Sequence, residues 1–73
     1  MSKRLTAIVQ FESPEYVATC PELDIASQGN SVEQAISNLR EAVELFYECA
    51  SPAEIEARER DGAVITQLEV SIG

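Results

Sequence analysis

The side chains able to do chemistry in this 73-residue sequence are few and scattered. Histidine is absent, so the usual acid–base group of neutral pH is missing. The two cysteines, Cys20 and Cys49, lie far apart and match no metal-ligand spacing. A reactive thiolate needs a basic neighbour or a helix N-terminus, and Cys20, followed by Pro21, has neither in its local sequence. Tyr16 and Tyr47 read as half-buried aromatics rather than active phenols. Carboxylates are the abundant group, thirteen acids against five bases, for a net charge of −8. Glu12 and Glu15 flank a turn, and Glu22 and Asp24 follow the next strand. Paired carboxylates do acid–base work only where a pocket drives their pKa values apart, and nothing beside Glu12 and Glu15 suggests one, so these two read as solubilising turn residues. Should the chain bind a basic partner, all four are the expected contacts. No phosphate loop, zinc signature or Ser/His/Asp set is present. The expectation is a protein that is not an enzyme and uses no metal and no cofactor.

The elements that position these acids follow from hydrophobic spacing. The stretch 31–50 (SVEQAISNLREAVELFYECA) places Val32, Ala35, Ile36, Leu39, Ala42, Val43, Phe46, Tyr47 and Ala50 on one stripe, the i, i+3, i+4, i+7 pattern of an amphipathic helix. Ser31 is its N-cap, with Gln34 completing a capping box, and Ser51-Pro52 stops it. Leu45 lies off the stripe, beside Asn38 and Cys49. Glu33, Glu41, Glu44 and Glu48 occupy the opposite face, and Glu48 sits in the last turn, where the helix macrodipole disfavours an acid.

Before the helix, residues 5–11 (LTAIVQF) predict strand β1, with Ala7, Val9 and Phe11 on one face and Thr6, Ile8 and Gln10 on the other. Ser13-Pro14 turns the chain into a second strand at 16–20 (YVATC), making a hairpin. A short polar third strand at 25–28 suits a sheet edge. After the helix, Ser51 and Pro52 could open a helical turn, and Asp61-Gly62 marks a turn. Residues 64–72 (VITQLEVSI) alternate most clearly: Val64, Thr66, Leu68, Val70 and Ile72 on one side, Ile65, Gln67, Glu69 and Ser71 on the other. They predict a fourth strand, parallel to β1. The expected fold is α+β, a β-β-β-α-β chain forming one mixed sheet of order 3-2-1-4 with one helix on one face. The bare face would carry Ile8, Val17 and Ile65 among polar residues.

Composition narrows the function. Residues 1–73 make one domain, and a chain this short is marginal alone. Small domains usually add a disulfide, a metal or a second subunit. Two unpaired cysteines without a signal peptide predict reduced thiols in a cytoplasmic protein, so a homo-oligomer is the expected reinforcement, with the bare sheet face as its interface. No apolar run is long enough for a membrane span. The acidic balance disfavours direct nucleic-acid binding and favours a basic partner.

Tyr16-Val17-Ala18-Thr19-Cys20-Pro21-Glu22-Leu23, then Ser27-Gln28-Gly29-Asn30-Ser31-Val32-Glu33-Gln34-Ala35, resembles the HicB family of antitoxins. Its pattern runs Y-V-A-x-C-P-E-L, a short strand ending S-Q-G, and a helix of the type L-E-E-A-x-x-N-L-x-E-A; Asn38-Leu39-Arg40-Glu41-Ala42 continues the match. The Pro-Gly usual after C-P-E-L is replaced by Asp24-Ile25. The resemblance implies a partial ribonuclease-H-like fold without that fold's catalytic acids. It also implies a role in a toxin–antitoxin system: binding a small basic mRNA-cleaving toxin, HicA-like, and masking its active site. Many members carry a further DNA-binding module, which is not expected after Gly73. Glu12, Glu15, Glu22 and Asp24 are the expected partner contacts. The alternative is a stand-alone oligomeric module without a toxin. A nuclease is the least favoured reading, because no acid falls in the apolar centre of β1.

Overall fold

The sheet grows from the hairpin. In a computed structural model, which describes residues 2–73, β1 (Ile8–Glu12) and β2 (Glu15–Cys20) pair antiparallel, with Glu12 opposite Glu15 across Ser13-Pro14 and Ile8 opposite Thr19. The ladder stops there for a local reason. In the same register Ala7 would face Cys20 and Thr6 would face Pro21, which has no N–H to donate, and the Thr6 N–H turns instead to the Glu22 carboxylate at 2.9 Å. The strand expected from residue 5 therefore begins at Ile8. β3 (Ile25–Gly29) pairs antiparallel with β2, placing Tyr16 opposite Gly29, Ala18 opposite Ser27 and Cys20 opposite Ile25. The side-chain alternation gives the sheet one inner face, with Val9, Tyr16, Ala18, Cys20 and Ile25 on it.

That face is covered by α1 (Val32–Cys49). Ser31 caps it as its sequence predicts, its hydroxyl accepting from the Gln34 N–H at 3.1 Å. Gln34 reaches back one residue further than a capping box requires, accepting from the Asn30 N–H. The stripe seats Ala35 and Leu39 against Ala18, Cys20 and Leu23, all five at most 4% exposed. Val43, Phe46 and Tyr47 pack around them. Gly29 lets strand and helix meet. A Cβ there would lie 2.6 Å from the Ala35 nitrogen and 2.9 Å from the Gln34 carbonyl carbon, both backbone atoms of the first helical turn. The helix lies over β3 and β2 and barely reaches β1.

The expected topology is corrected at its second half. The sheet has three strands in order β1-β2-β3, not four in order 3-2-1-4, and the chain carries two helices rather than one. The possible turn after Ser51 is a full second helix, α2 (Pro52–Arg60). It has Pro at its start and a complete capping box, in which Ser51 Oγ accepts from Glu54 N–H and the Glu54 carboxylate from Ser51 N–H. Residues 64–72 form no strand. They carry no regular secondary structure, with Val64 92%, Leu68 85% and Ile72 91% exposed. The radius of gyration of 14.2 Å records this, since a packed chain of this length would have one of about 11 Å. Alternation reports which faces a strand would have. It does not supply a free edge in the right place, and α2 intervenes to redirect the chain. The bare outer face therefore holds Ile8, 45% exposed, and half-buried Val17, but not Ile65. Among the described residues no helix is long and apolar enough to cross a membrane.

Because the clash at residue 29 is with backbone and nothing flexible can yield, Gly29→Ala should lower unfolding stability by about 3 kcal/mol. That is a large share of the few kcal/mol expected for a domain this small. A urea titration followed by far-ultraviolet circular dichroism checks it: a midpoint unchanged from the parent would mean that α1 does not sit on the end of β3 as described.

Candidate functional site

The four acids expected as partner contacts fall at opposite ends of the sheet. Glu12 and Glu15 close the β1–β2 turn. Glu22 and Asp24 lie in the loop between β2 and β3, a strand length of about 20 Å away. They do not form one site. Within the second pair the roles also divide.

Glu22 faces inward to its own chain. Its carboxylate accepts the Thr6 N–H and the Thr6 hydroxyl, the latter at 2.7 Å, and lies 3.6 Å from the Cys20 thiol. Partial burial alone would push this carboxyl up. The hydrogen bonds from the Thr6 hydroxyl, the surrounding backbone and the Cys20 thiol outweigh it and hold the carboxyl below its ordinary value. Burial, with the Glu22 charge beside it, pushes the Cys20 thiol up. Cys20 is therefore a protonated core residue and no nucleophile. Cys49 is free and exposed.

Asp24 is exposed and sits at φ 55, the left-handed region that side chains other than those of Gly, Asn and Asp seldom enter. It turns the chain sharply out of Leu23, whose side chain is buried at 1% exposure. This loop meets α2. The Arg58 guanidinium donates to the Leu23 carbonyl at 2.6 Å and lies 5.6 Å from the centre of the Phe46 ring. Gly62 packs on the backbone of Glu22, so closely that a Cβ would lie 2.5 Å from the Glu22 carbonyl oxygen. The result is a shallow depression of about 350 Å³ bounded by Pro21, Glu22, Leu23 and Asp24 on one side and Glu54, Ala57, Arg58, Asp61 and Gly62 on the other. Four carboxylates surround it, and its single cation is already engaged with a backbone carbonyl.

A second linkage ties the N-terminal segment to both helices. Lys3 pairs with Glu59, Tyr47 donates its hydroxyl to Glu59 at 2.8 Å, and the Lys3 ammonium lies 5.4 Å from the centre of the Tyr47 ring. The bond from Lys3, then that from Tyr47, holds the Glu59 carboxyl below its usual value. Lys3 is raised by the same bond to Glu59. Burial, then the bond to Glu59, raises the Tyr47 phenol, so Tyr47 stays protonated and structural. Among the described residues no three His, Cys, Asp or Glu side chains come together to hold a metal ion.

A curated protein of Helicobacter pylori (strain J99 / ATCC 700824), named UPF0150 protein, is 29% identical to this chain over 68 residues. The alignment covers 92% of this chain and 94% of that protein. The likeness is distant and spans nearly the whole of both. No family model matches the chain. No solved structure matches it.

Glu54, Arg58 and Asp61 were not among the expected contacts. The Ser51-Pro52-Ala53-Glu54 string carried a signal for α2, a capping box with Pro at the first helical position. Nothing local could show that α2 folds back onto the loop 21–24, because that contact is made across some 35 residues by Arg58.

The Glu22 carboxyl has a lower pKa folded than its ordinary value of 4.5. Its stabilising effect is complete above that value and disappears as pH falls through the folded one. The unfolding free energy should therefore fall from pH 7 to pH 3, and Glu22→Gln should make that fall shallower. Urea titrations of both proteins at the two pH values check it. An equal fall in the two would mean that Glu22 is not bound to Thr6 in solution.

Proposed function

We propose that this chain is a small acidic binding protein of the antitoxin type, HicB-like, which neutralises a small basic mRNA-cleaving partner by covering its active site. The observation that carries this is the depression between the β2–β3 loop and α2, where four carboxylates, Glu22, Asp24, Glu54 and Asp61, outnumber one cation, Arg58, whose guanidinium is held on the Leu23 carbonyl. A concave surface with this charge attracts a protuberance rich in Lys and Arg and steers its approach. The chain's net charge of −8 adds a long-range field of the same sign. The residues carrying the HicB resemblance include Pro21, Glu22 and Leu23, which form one wall of that depression. The distant whole-length likeness to a UPF0150 protein is compatible with a common fold type. On this reading the protein is not an enzyme, uses no cofactor, has no nucleic-acid site of its own and works in the cytoplasm, where its thiols stay reduced.

The reading predicts a complex with a small basic ribonuclease encoded by the adjacent reading frame. Titration calorimetry of the purified pair should give a dissociation constant that rises steeply between 50 and about 300 mM salt, since exposed ion pairs are screened. The double reversal Asp24→Lys/Glu54→Lys should weaken binding on the order of a hundredfold, whereas Glu41→Lys/Glu48→Lys, at exposed positions of α1 away from the depression, should change it little. The ribonuclease should regain RNA cleavage in the presence of the first double variant. Absence of binding at low salt, or equal binding by the two double variants, would reject the reading.

A further inference from the structure

Two parts of this molecule complement each other and are not joined within the single chain. The first is the segment 64–72, outside any helix or strand, alternating in sequence and exposed, with Val64, Leu68, Val70 and Ile72 at alternate positions. A run with this pattern loses its apolar side to water unless an edge receives it. The Thr66 hydroxyl bonds only within the segment, to the Gln67 carbonyl. The second is the side of the domain next to β1. β1 is an edge strand, and α1 barely reaches it. Between β1's approach segment and the helix lies a groove of about 700 Å³ whose apolar lining includes Leu5, Ala7, Ile36, Leu39 and Val43. Ile36 and Val43 belong to the helix stripe and are only half-buried.

We infer that residues 64–72 of one copy dock into the β1 groove of a second copy, adding a strand to the free edge of β1, with the exchange reciprocal between two chains. Each chain keeps its own three-stranded sheet, and the added strand comes from its partner. The inference is independent of the toxin-binding reading and uses a different chemistry. Lys3, Arg4 and Arg40 line this groove beside Glu44, and Lys3 is already paired with Glu59, so what the groove offers a partner is chiefly its apolar lining. The segment itself carries one side-chain charge, Glu69, on its outward side, a sign that Arg4 and Arg40 attract. The other edge is less suited: β3 lies beneath the helix, and its Gln28 carbonyl already accepts from the Asn38 amide at 2.8 Å.

The area is sufficient. Two reciprocal docks, each burying four or five large apolar side chains and the surface beneath them, remove on the order of 1,500–2,000 Å² from water, within the range of stable dimers. Main-chain hydrogen bonds along the β1 edge add register, and the alternation assigns Val64, Leu68, Val70 and Ile72 to the groove.

Sedimentation equilibrium on the full chain tests it. The parent should be a dimer at about 50 μM. Leu68→Asp places a charge in the groove and should weaken the dimer at least a hundredfold, leaving a monomer whose far-ultraviolet spectrum keeps its helical signal, because residue 68 lies outside the core. Gln67→Asp, on the outward side of the same segment, should remain dimeric. A monomeric parent at that concentration would overturn the inference, and would do so whether the segment were free or folded onto its own chain. A dimer that survives Leu68→Asp, or one that Gln67→Asp disrupts equally, would also overturn it.

Discussion

Everything in this domain depends on how closely α1 approaches the end of β3. The backbone of residue 29 touches the backbone of the first helical turn, and only a glycine allows it. That contact fixes where the helix lies. Ala35 and Leu39 then fall on Ala18, Cys20 and Leu23, and a core of five small or medium side chains is closed. Alanine at 18 and 35 is part of the same constraint, since a larger side chain at either would lift the helix. A core this small leaves little surplus stability, so the polar links around it matter more than they would in a larger domain.

Those links make a belt around the core. Glu22 holds the segment before β1, Arg58 holds the β2–β3 loop, and Glu59 joins Lys3 to Tyr47. Each crosses between elements distant in sequence. They also divide the acidic residues by how they are held. Glu22 and Glu59 bind groups on distant elements. At the rim of the depression Glu54 bonds only to its own helix cap and Asp61 pairs with its neighbour Arg60, both exposed, and Asp24 stands exposed beside them. Net charge alone does not make that distinction.

The same packing that covers β3 uncovers β1. A single helix laid over two of three strands leaves part of its stripe, the half-buried Ile36 and Val43, lining a groove. The molecule thus presents two different surfaces: an acidic hollow beside α2, and an apolar groove between α1 and the segment that leads into β1. Surfaces of different chemistry separate partners.

The order of the first four elements was legible in the sequence because local chemistry specified each one. Ser31 and the 3.6-residue stripe determined α1, Ser13-Pro14 the hairpin, and Pro21 the end of β2, all through contacts between near neighbours. Glu22 and Asp24 could be placed in one loop for the same reason. The second half was not legible. The alternation of residues 64–72 was read as a fourth strand beside β1, but a strand exists only where another backbone offers its edge, and the chain's own course after α2 carries the segment away from it. The pairing of α2 with the loop 21–24 likewise rests on Arg58 and Gly62 reaching across the fold. Sequence by itself determined the apolar stripe of α1, the hairpin and where the chain would turn. Tertiary structure decided which acids were left free and which edge was left open, because both depend on distances between residues that are remote in the chain.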